Sequence, residues 1–268
     1  MVITLLVYEK SNCFNILIKM NKIFFKIVFF ISFVCFSQNI QNEYPIFKYK
    51  KILFDSYADY KTNYSKQIIS SIPETEYDLI IGNSVSRFSV VEKNYTDSFN
   101  KGAIKWGGGQ TYYYEKVNGN YYVFKKATTL EGEFLIKDSV NSLKWDITTE
   151  SKTIQNFICY KAFAKRDIYI INLDKSGDKP VYKKEVKTVE LVAWFCPDFP
   201  YSFGPDQFYG LPGIVFEAYQ IDGKVSFVLD SIIFKKDNKL IITVPKLKIV
   251  DESEVIERSL EKMNTRNF

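Results

Sequence analysis

The chain predicts a mainly β protein (α+β only in a minor sense): a curved antiparallel sheet or open barrel with one or two helices. Three observations carry this. Runs rich in Val, Ile, Tyr and Phe recur roughly every 8–15 residues, the composition and spacing of short strands. Asn118-Gly119 and Asp222-Gly223 sit between such runs, where two-residue hairpin turns belong. Only two stretches repeat apolar residues at helical spacing. The aromatic content, 23 Phe and 19 Tyr, fits a β core built from large flat side chains.

The N-terminus reads as a leader. Lys19, Lys22 and Lys26 precede the apolar run Ile27–Phe36, and Cys35-Phe-Ser37 offers small residues for cleavage. The apolar run is too short for a membrane span, which needs about 20 residues. Phe33-Val34-Cys35 lacks the small residues that a lipidated cysteine needs. The first 19 residues fit no part of such a signal, so Met20 is the expected start. Residues 1–37 are therefore read as an N-terminal extension plus signal peptide, and 38–268 as a single exported domain. Removing 1–37 takes away four lysines and one glutamate, so the formal charge falls from +5 to +2. No concentrated basic face remains to argue for nucleic acid, and no membrane span is expected in the mature protein.

The elements follow in order. Ile46–Phe54 is a first strand. Tyr57, Tyr60, Tyr64 and Ile68 mark an amphipathic helix closed by Pro73. Tyr77–Ile81 and Arg87–Val91 are short strands about Gly82-Asn83. Residues 92–109, ending in Trp106-Gly-Gly-Gly109, read as a loop. Thr111–Lys116 and Tyr121–Lys126 form a hairpin about Asn118-Gly119. Phe134–Ile136, Leu143–Ile147, Phe157–Ala164, Asp167–Leu173 and Thr188–Cys196 continue the meander, with a polar loop at Asp174–Pro180. Ile214–Gln220 and Val225–Leu229 flank Asp222-Gly223, and Ile232–Phe234 and Leu240–Val244 follow. Val255, Ile256, Leu260 and Met263 share one face of a final helix over Asp251–Asn264, with Asp251 and Glu254 at capping-box spacing.

One stretch stands apart, Gly204-Pro-Asp-Gln-Phe-Tyr-Gly-Leu-Pro-Gly-Ile-Val-Phe-Glu-Ala218. Pro212 pre-sets φ at the second position of a tight turn, and Gly213 suits the positive φ of a type II turn at the third. Gly210 permits an unusual backbone angle or a close approach. The motif Gly210, Leu211, Pro212, Gly213, Ile214 is thus a reversal that launches a buried strand, and it holds no nucleophile or base.

Gly210-Leu-Pro-Gly-Ile-Val resembles Gly-Leu-Pro-Gly-Leu-Ile, the signature of the GLPGLI family of exported Bacteroidetes proteins. Thr153-Ile-Gln-Asn-Phe-Ile-Cys-Tyr-Lys-Ala162 resembles the family's Ile-x-Gly-Tyr-x-Cys-x-Lys-Ala segment. Val192-Ala-Trp-Phe195 with Pro200, Gly204-Pro205 and Phe208 resembles its Ala-Trp-Tyr…Ile-Pro…Gly-Pro…Phe run, and Trp145-x-Ile147 with Glu150 its Trp-x-Ile segment. The departures are Asn156 where Gly is usual, an insertion near 172–188 and one extra residue before Gly210. The likeness covers roughly 75–235. It implies an exported, mostly antiparallel β protein, described beside outer-membrane receptors, with no catalytic residues to carry over. By analogy alone, the architecture resembles periplasmic lipoprotein carriers, a curved sheet with helices at its mouth.

The chain has no histidine, which removes Ser-His-Asp and Cys-His catalysis, His-based zinc sites and the commonest general base. Gly107-Gly-Gly109 has neither the lysine nor the helix start of a phosphate cradle. The loop at Asp174 does not follow calcium-loop spacing. Asp198, Asp206 and Glu217 are the acids nearest the motif, and a carboxylate-dependent hydrolase would draw on such a pair. Cys159 and Cys196 remain after the leader is removed. An even pair in an exported protein is a candidate disulfide; buried free thiols or soft metal ligands are the alternatives. Trp194, Phe195, Phe203, Phe208 and Tyr209 crowd the motif, either as core or as the lining of a ligand face. The leading expectation is an exported, non-catalytic binding or accessory protein of the cell envelope. It would present a concave aromatic face to an apolar ligand or to a partner such as an outer-membrane receptor, with no cofactor or metal. A hydrolase of the envelope and a metal-handling protein are the alternatives.

Overall fold

The computed structural model describes residues 43–53, 75–91, 110–129, 132–177, 180–221, 223, 225–236 and 240–266. The predicted leader, Cys13, Cys35, the predicted helix at Tyr57–Ile68 and the predicted loop at 92–109 lie outside the described residues. Tyr44–Phe268 form one compact unit.

The protein is mainly β, with one large, open, curved sheet that does not close into a barrel. In chain order the strands are β1 (Glu43–Leu53), β2 (Glu76–Ile80), β3 (Val85–Val90), β4 (Thr111–Val117), β5 (Asn120–Thr129) and β6 (Gly132–Ser139). β7 (Asp146–Ile154), β8 (Phe157–Asp174), β9 (Val181–Cys196), β10 (Ile214–Gln220), β11 (Val225–Lys236) and β12 (Ile249–Val250) follow, and the helix α1 (Glu252–Arg266) closes the chain. Their order across the sheet is β12-β6-β5-β4-β3-β2-β1-β11-β10-β9-β8-β7. From β1 to β6 and from β11 to β7, neighbours pair antiparallel, while β12 joins β6 in parallel.

Local chemistry accounts for the turns. Asn118 and Gly119 both take positive φ, 51° and 85°, which gives the mirror-image turn that matches strand twist. Gln155 and Asn156 do the same between β7 and β8, at 49° and 68°. This second turn carries no glycine, and asparagine tolerates the left-handed region through its short polar side chain.

Five strand boundaries differ from expectation. β7 runs from Asp146 to Ile154 rather than over Leu143–Ile147, and Ile232–Phe234 is no separate strand but part of β11, Val225–Lys236. β8 runs unbroken from Phe157 to Asp174, through the predicted gap at Lys165-Arg166, because β9 pairs with it all the way to Asp174↔Val181. β9 accordingly starts at Val181 rather than Thr188. Leu240–Val244 forms no ladder. Pro245 just beyond it has no N–H to donate, Ile241 is 83% exposed, and the chain rejoins the sheet only at β12.

The curvature follows from one short connection. β6 and β7 stand ten places apart in the sheet, a separation of about 48 Å if it were flat. Residues 140–145 join them, and such a connection reaches only about 25 Å. The sheet therefore curls until β6 and β8 face one another across an open mouth: Arg166 of β8 lies 3.8 Å from the Asp138 carboxylate of β6. Helix α1 spans the same mouth. On one side Glu252 pairs with Lys125 of β5 at 2.7 Å, and Arg258 lies over the Phe134 ring of β6 at 5.7 Å. On the other, Lys184 of β9 reaches Ser253 and Glu257, and the Asn264 amide bonds both backbone groups of Tyr182, at 2.8 and 3.0 Å.

Candidate functional site

Residues 197–213, between β9 and β10, form the loop that the sheet curls around. The loop holds almost no regular structure, yet Phe203, Phe208, Tyr209 and Leu211 are all buried. Its backbone satisfies part of itself: Gly210 N–H bonds Ser202 O (2.9 Å), Phe208 N–H bonds Pro205 O (3.0 Å) and Ile214 N–H bonds Phe199 O (3.0 Å). The sheet supplies further donors. Tyr49 of β1 donates its hydroxyl to Val215 O (2.7 Å), Tyr114 of β4 donates to Gly204 O (2.8 Å), and the Trp145 indole N–H donates to Tyr209 O (2.8 Å). Tyr112 of β4 donates to the Asp206 carboxylate. These long-range bonds meet the rule that buried backbone polar groups find partners.

Two motif glycines have distinct jobs. Gly210 sits at φ 90°, and a Cβ there would lie 2.4 Å from Val140 O, so it combines an unusual angle with a close approach. Gly213 does not take the positive φ expected of a type II turn. A Cβ on it would lie 2.3 Å from Cys196 O and 2.9 Å from Pro197 Cα, so glycine is needed there because the two ends of the loop pass against each other.

The aromatic residues of the motif region divide between two surroundings. Phe203 stacks on Tyr114 with ring centroids 4.5 Å apart, and Tyr209 meets Tyr114 edge-on at 6.2 Å. Trp194 lies elsewhere, between the ammonium groups of Lys152 (4.3 Å) and Lys161 (5.6 Å), while Lys152 also pairs with Glu217 at 2.6 Å. Phe195 meets the Tyr160 ring at a tilt, with centroids 6.2 Å apart. Trp194 and Phe195 are consecutive in a strand and point to opposite faces, so the five do not share one surface. All are packed rather than open.

Beside the loop, under α1, a cavity of about 140 Å³ is lined by Tyr112, Lys125, Lys137, Asp138, Arg166 and Tyr209 among others. Arg166 donates to the Tyr209 hydroxyl (2.9 Å), which donates to Asp138 Oδ2 (2.8 Å). Asp138 also accepts from Ser142 Oγ (2.8 Å) and from Ser139 N–H (2.7 Å). Burial, with the Asp138 charge adding to it against the opposing effect of Arg166, pushes the Tyr209 hydroxyl up to about 12, so it stays a neutral donor. This network ties β6, β8 and the loop together. Sequence reading missed it, because its members lie 43 and 71 residues apart and no local pattern links them.

The candidate acids are dispersed. Asp206 accepts from Tyr112, Glu217 is paired with Lys152, and Asp198 is exposed on the turn after β9. Cys159 and Cys196 are buried free thiols on adjacent strands. Among the described residues, no three Cys, Asp or Glu side chains gather as metal ligands, and no helix is long and apolar enough to cross a membrane.

Residues 145–217 match a family described as "Protein of unknown function (Porph_ging)". The match starts at Trp145, which holds the loop, and takes in β7, β8, β9, the loop and the start of β10. No curated protein matches the chain. Solved structures of PNGF-II in space groups C2 and P21 are similar at 12% identity, with TM-scores of 0.46 and 0.47. They cover 80% and 82% of this chain but 32% and 33% of their own, so the chain spans about a third of PNGF-II.

Proposed function

We propose that this is an exported, non-catalytic accessory protein of the cell envelope that recognises a partner protein through exposed apolar side chains at one edge of its sheet. The observation that carries this is the loop itself. The concave side, where a curved sheet would admit an apolar ligand, is filled by residues 197–213, which are bonded to β4, β6, β8 and Trp145. Recognition then falls to apolar side chains that the loop leaves exposed. Ile147, Ile158 and Tyr160 stand exposed on the β7–β8 hairpin, which ends the sheet. The ladder sets Ile147 beside Ala162, so the three lie along one face. The resemblance of the motif to that of the GLPGLI proteins agrees with this reading, and the motif then serves as the plug of the fold.

The test is photo-crosslinking in the native envelope, with the reactive group at position 158, beside native mass spectrometry of the purified protein. A discrete crosslinked protein, absent when the group sits at Lys183 on the distal hairpin, supports the reading. A co-purifying lipid or other apolar molecule, with no crosslink, overturns it.

A further inference from the structure

The β8–β9 ladder pairs Tyr160 with Phe195, and one step further along the same register sets Cys159 opposite Cys196. Directly opposed residues of an antiparallel pair have Cα atoms about 4.5–5.5 Å apart, within the disulfide range of about 4.4–6.8 Å. The two thiols already lie within hydrogen-bonding reach of each other, and both residues are fully buried. Cys159 Sγ also makes a weak contact to Phe157 O at 3.9 Å, and the Cys196 sulfur takes backbone hydrogen bonds from Asp198 and Phe199.

We propose that Cys159 and Cys196 form a cross-strand disulfide in the exported protein, which fixes the root of the motif loop. The bond forms by thiol–disulfide exchange with a disulfide donor of the oxidising compartment. One cysteine thiolate attacks the donor's S–S bond, making a mixed disulfide and releasing one donor thiolate. The second cysteine thiolate then attacks the protein sulfur of that mixed disulfide, closing Cys159–Cys196 and releasing the other. The donor takes up two electrons and the two thiol protons and leaves as two thiols. Cys196 is the last residue before the loop, and its carbonyl lies against Gly213 at the loop's other end. The bond therefore pins one end of the loop to β8, with the other end packed against it.

Burial also sets when oxidation happens. It pushes the Cys159 thiol up to about 12, with Cys196 beside it adding to the effect, so the folded reduced protein holds almost no thiolate. Exchange belongs to folding, before the strands close.

The experiment refolds the full reduced chain in a glutathione redox buffer and maps the product without reduction. The expected result is a linked peptide pair containing Cys159 and Cys196. Reduction should lower Tm by about 5–10 °C, and the C159A/C196A double variant should not respond to reductant. Recovery of both cysteines as maleimide adducts after refolding, or their linkage to Cys13 or Cys35 instead, overturns the proposal. The in vivo bond rests on the export reading, and the same map on protein taken from its own cells separates the two. A bond formed in the refolded chain but absent from the cellular protein retires export and keeps the pairing. Free thiols in both retire the pairing.

Discussion

The motif loop and the distal half of the β8–β9 hairpin make an instructive pair. The hairpin is as regular as any part of the molecule, paired without a break from Tyr160↔Phe195 to Asp174↔Val181. Yet β7 follows it only to Phe163 and β10 only to Leu191, so its outer half has no strand beside it among the described residues. Val186 is 60% exposed there, and the ribbon's further support is α1. The loop has almost no regular structure, but Tyr209 is 1% exposed and the loop is bonded to β4, β6, β8 and Trp145. Regular pairing and burial are separate quantities. Stability resides where apolar area and satisfied polar groups are enclosed together, and here that is the irregular segment.

The largest effect should come from alkali, which attacks the loop's tyrosine bracket and spares the ribbon. Burial raises the hydroxyls of Tyr49, Tyr112 and Tyr114 well above 10 and that of Tyr209 to about 12. Between pH 10 and 12 the unfolded chain has released these protons while the folded chain holds them. Stability present below pH 10 is therefore lost as pH rises towards 12, by about 2 kcal/mol for Tyr209 alone. Tm followed by circular dichroism should be flat from pH 7 to 9 and fall steeply above 10. A flat profile to pH 12 would show that the bracket is open to solvent.

Next come the glycines. Gly210→Ala puts a Cβ against Val140 O at a strained φ and should cost about 3 kcal/mol or more in urea unfolding. Gly119→Ala has a similar φ of 85° but nothing within 4 Å, and should cost only about 1 kcal/mol. Equal costs would mean that backbone angle, not the loop's close approach, sets the price.

Tyr114→Phe keeps the ring stack on Phe203 but strips the hydroxyl from Gly204 O. A loss of about 1–3 kcal/mol is expected, and full stability would show that the carbonyl finds another donor. In the ribbon, Val186→Thr should stay within about 0.5 kcal/mol. A larger loss there would reveal that something covers this face.

Much of the fold was legible locally. Alternation and aromatic content located the strands, Asn118-Gly119 announced its turn, and the spacing of Val255, Ile256, Leu260 and Met263 announced α1. The turn at Gln155-Asn156 was harder, since it lacks the glycine that usually marks such a turn. The joining of the two predicted halves of β8 depended on β9, twenty and more residues away. The Arg166–Tyr209–Asp138 network carried no local signal at all, because an arginine in a strand looks the same whether it faces water or a buried tyrosine.

By itself the sequence determined most of the strands, the Asn118-Gly119 turn and the place of the last helix, since those depend on side chains two to four residues apart. It also determined that the motif must be a tight, glycine-dependent reversal. Only the tertiary structure decided that this reversal fills the sheet's own interior, and that Gly213 serves a close approach rather than a turn angle. Those outcomes depend on the curl that a six-residue link imposes between β6 and β7. Curvature summed over twelve strands brings together groups tens of residues apart, and no local pattern records it.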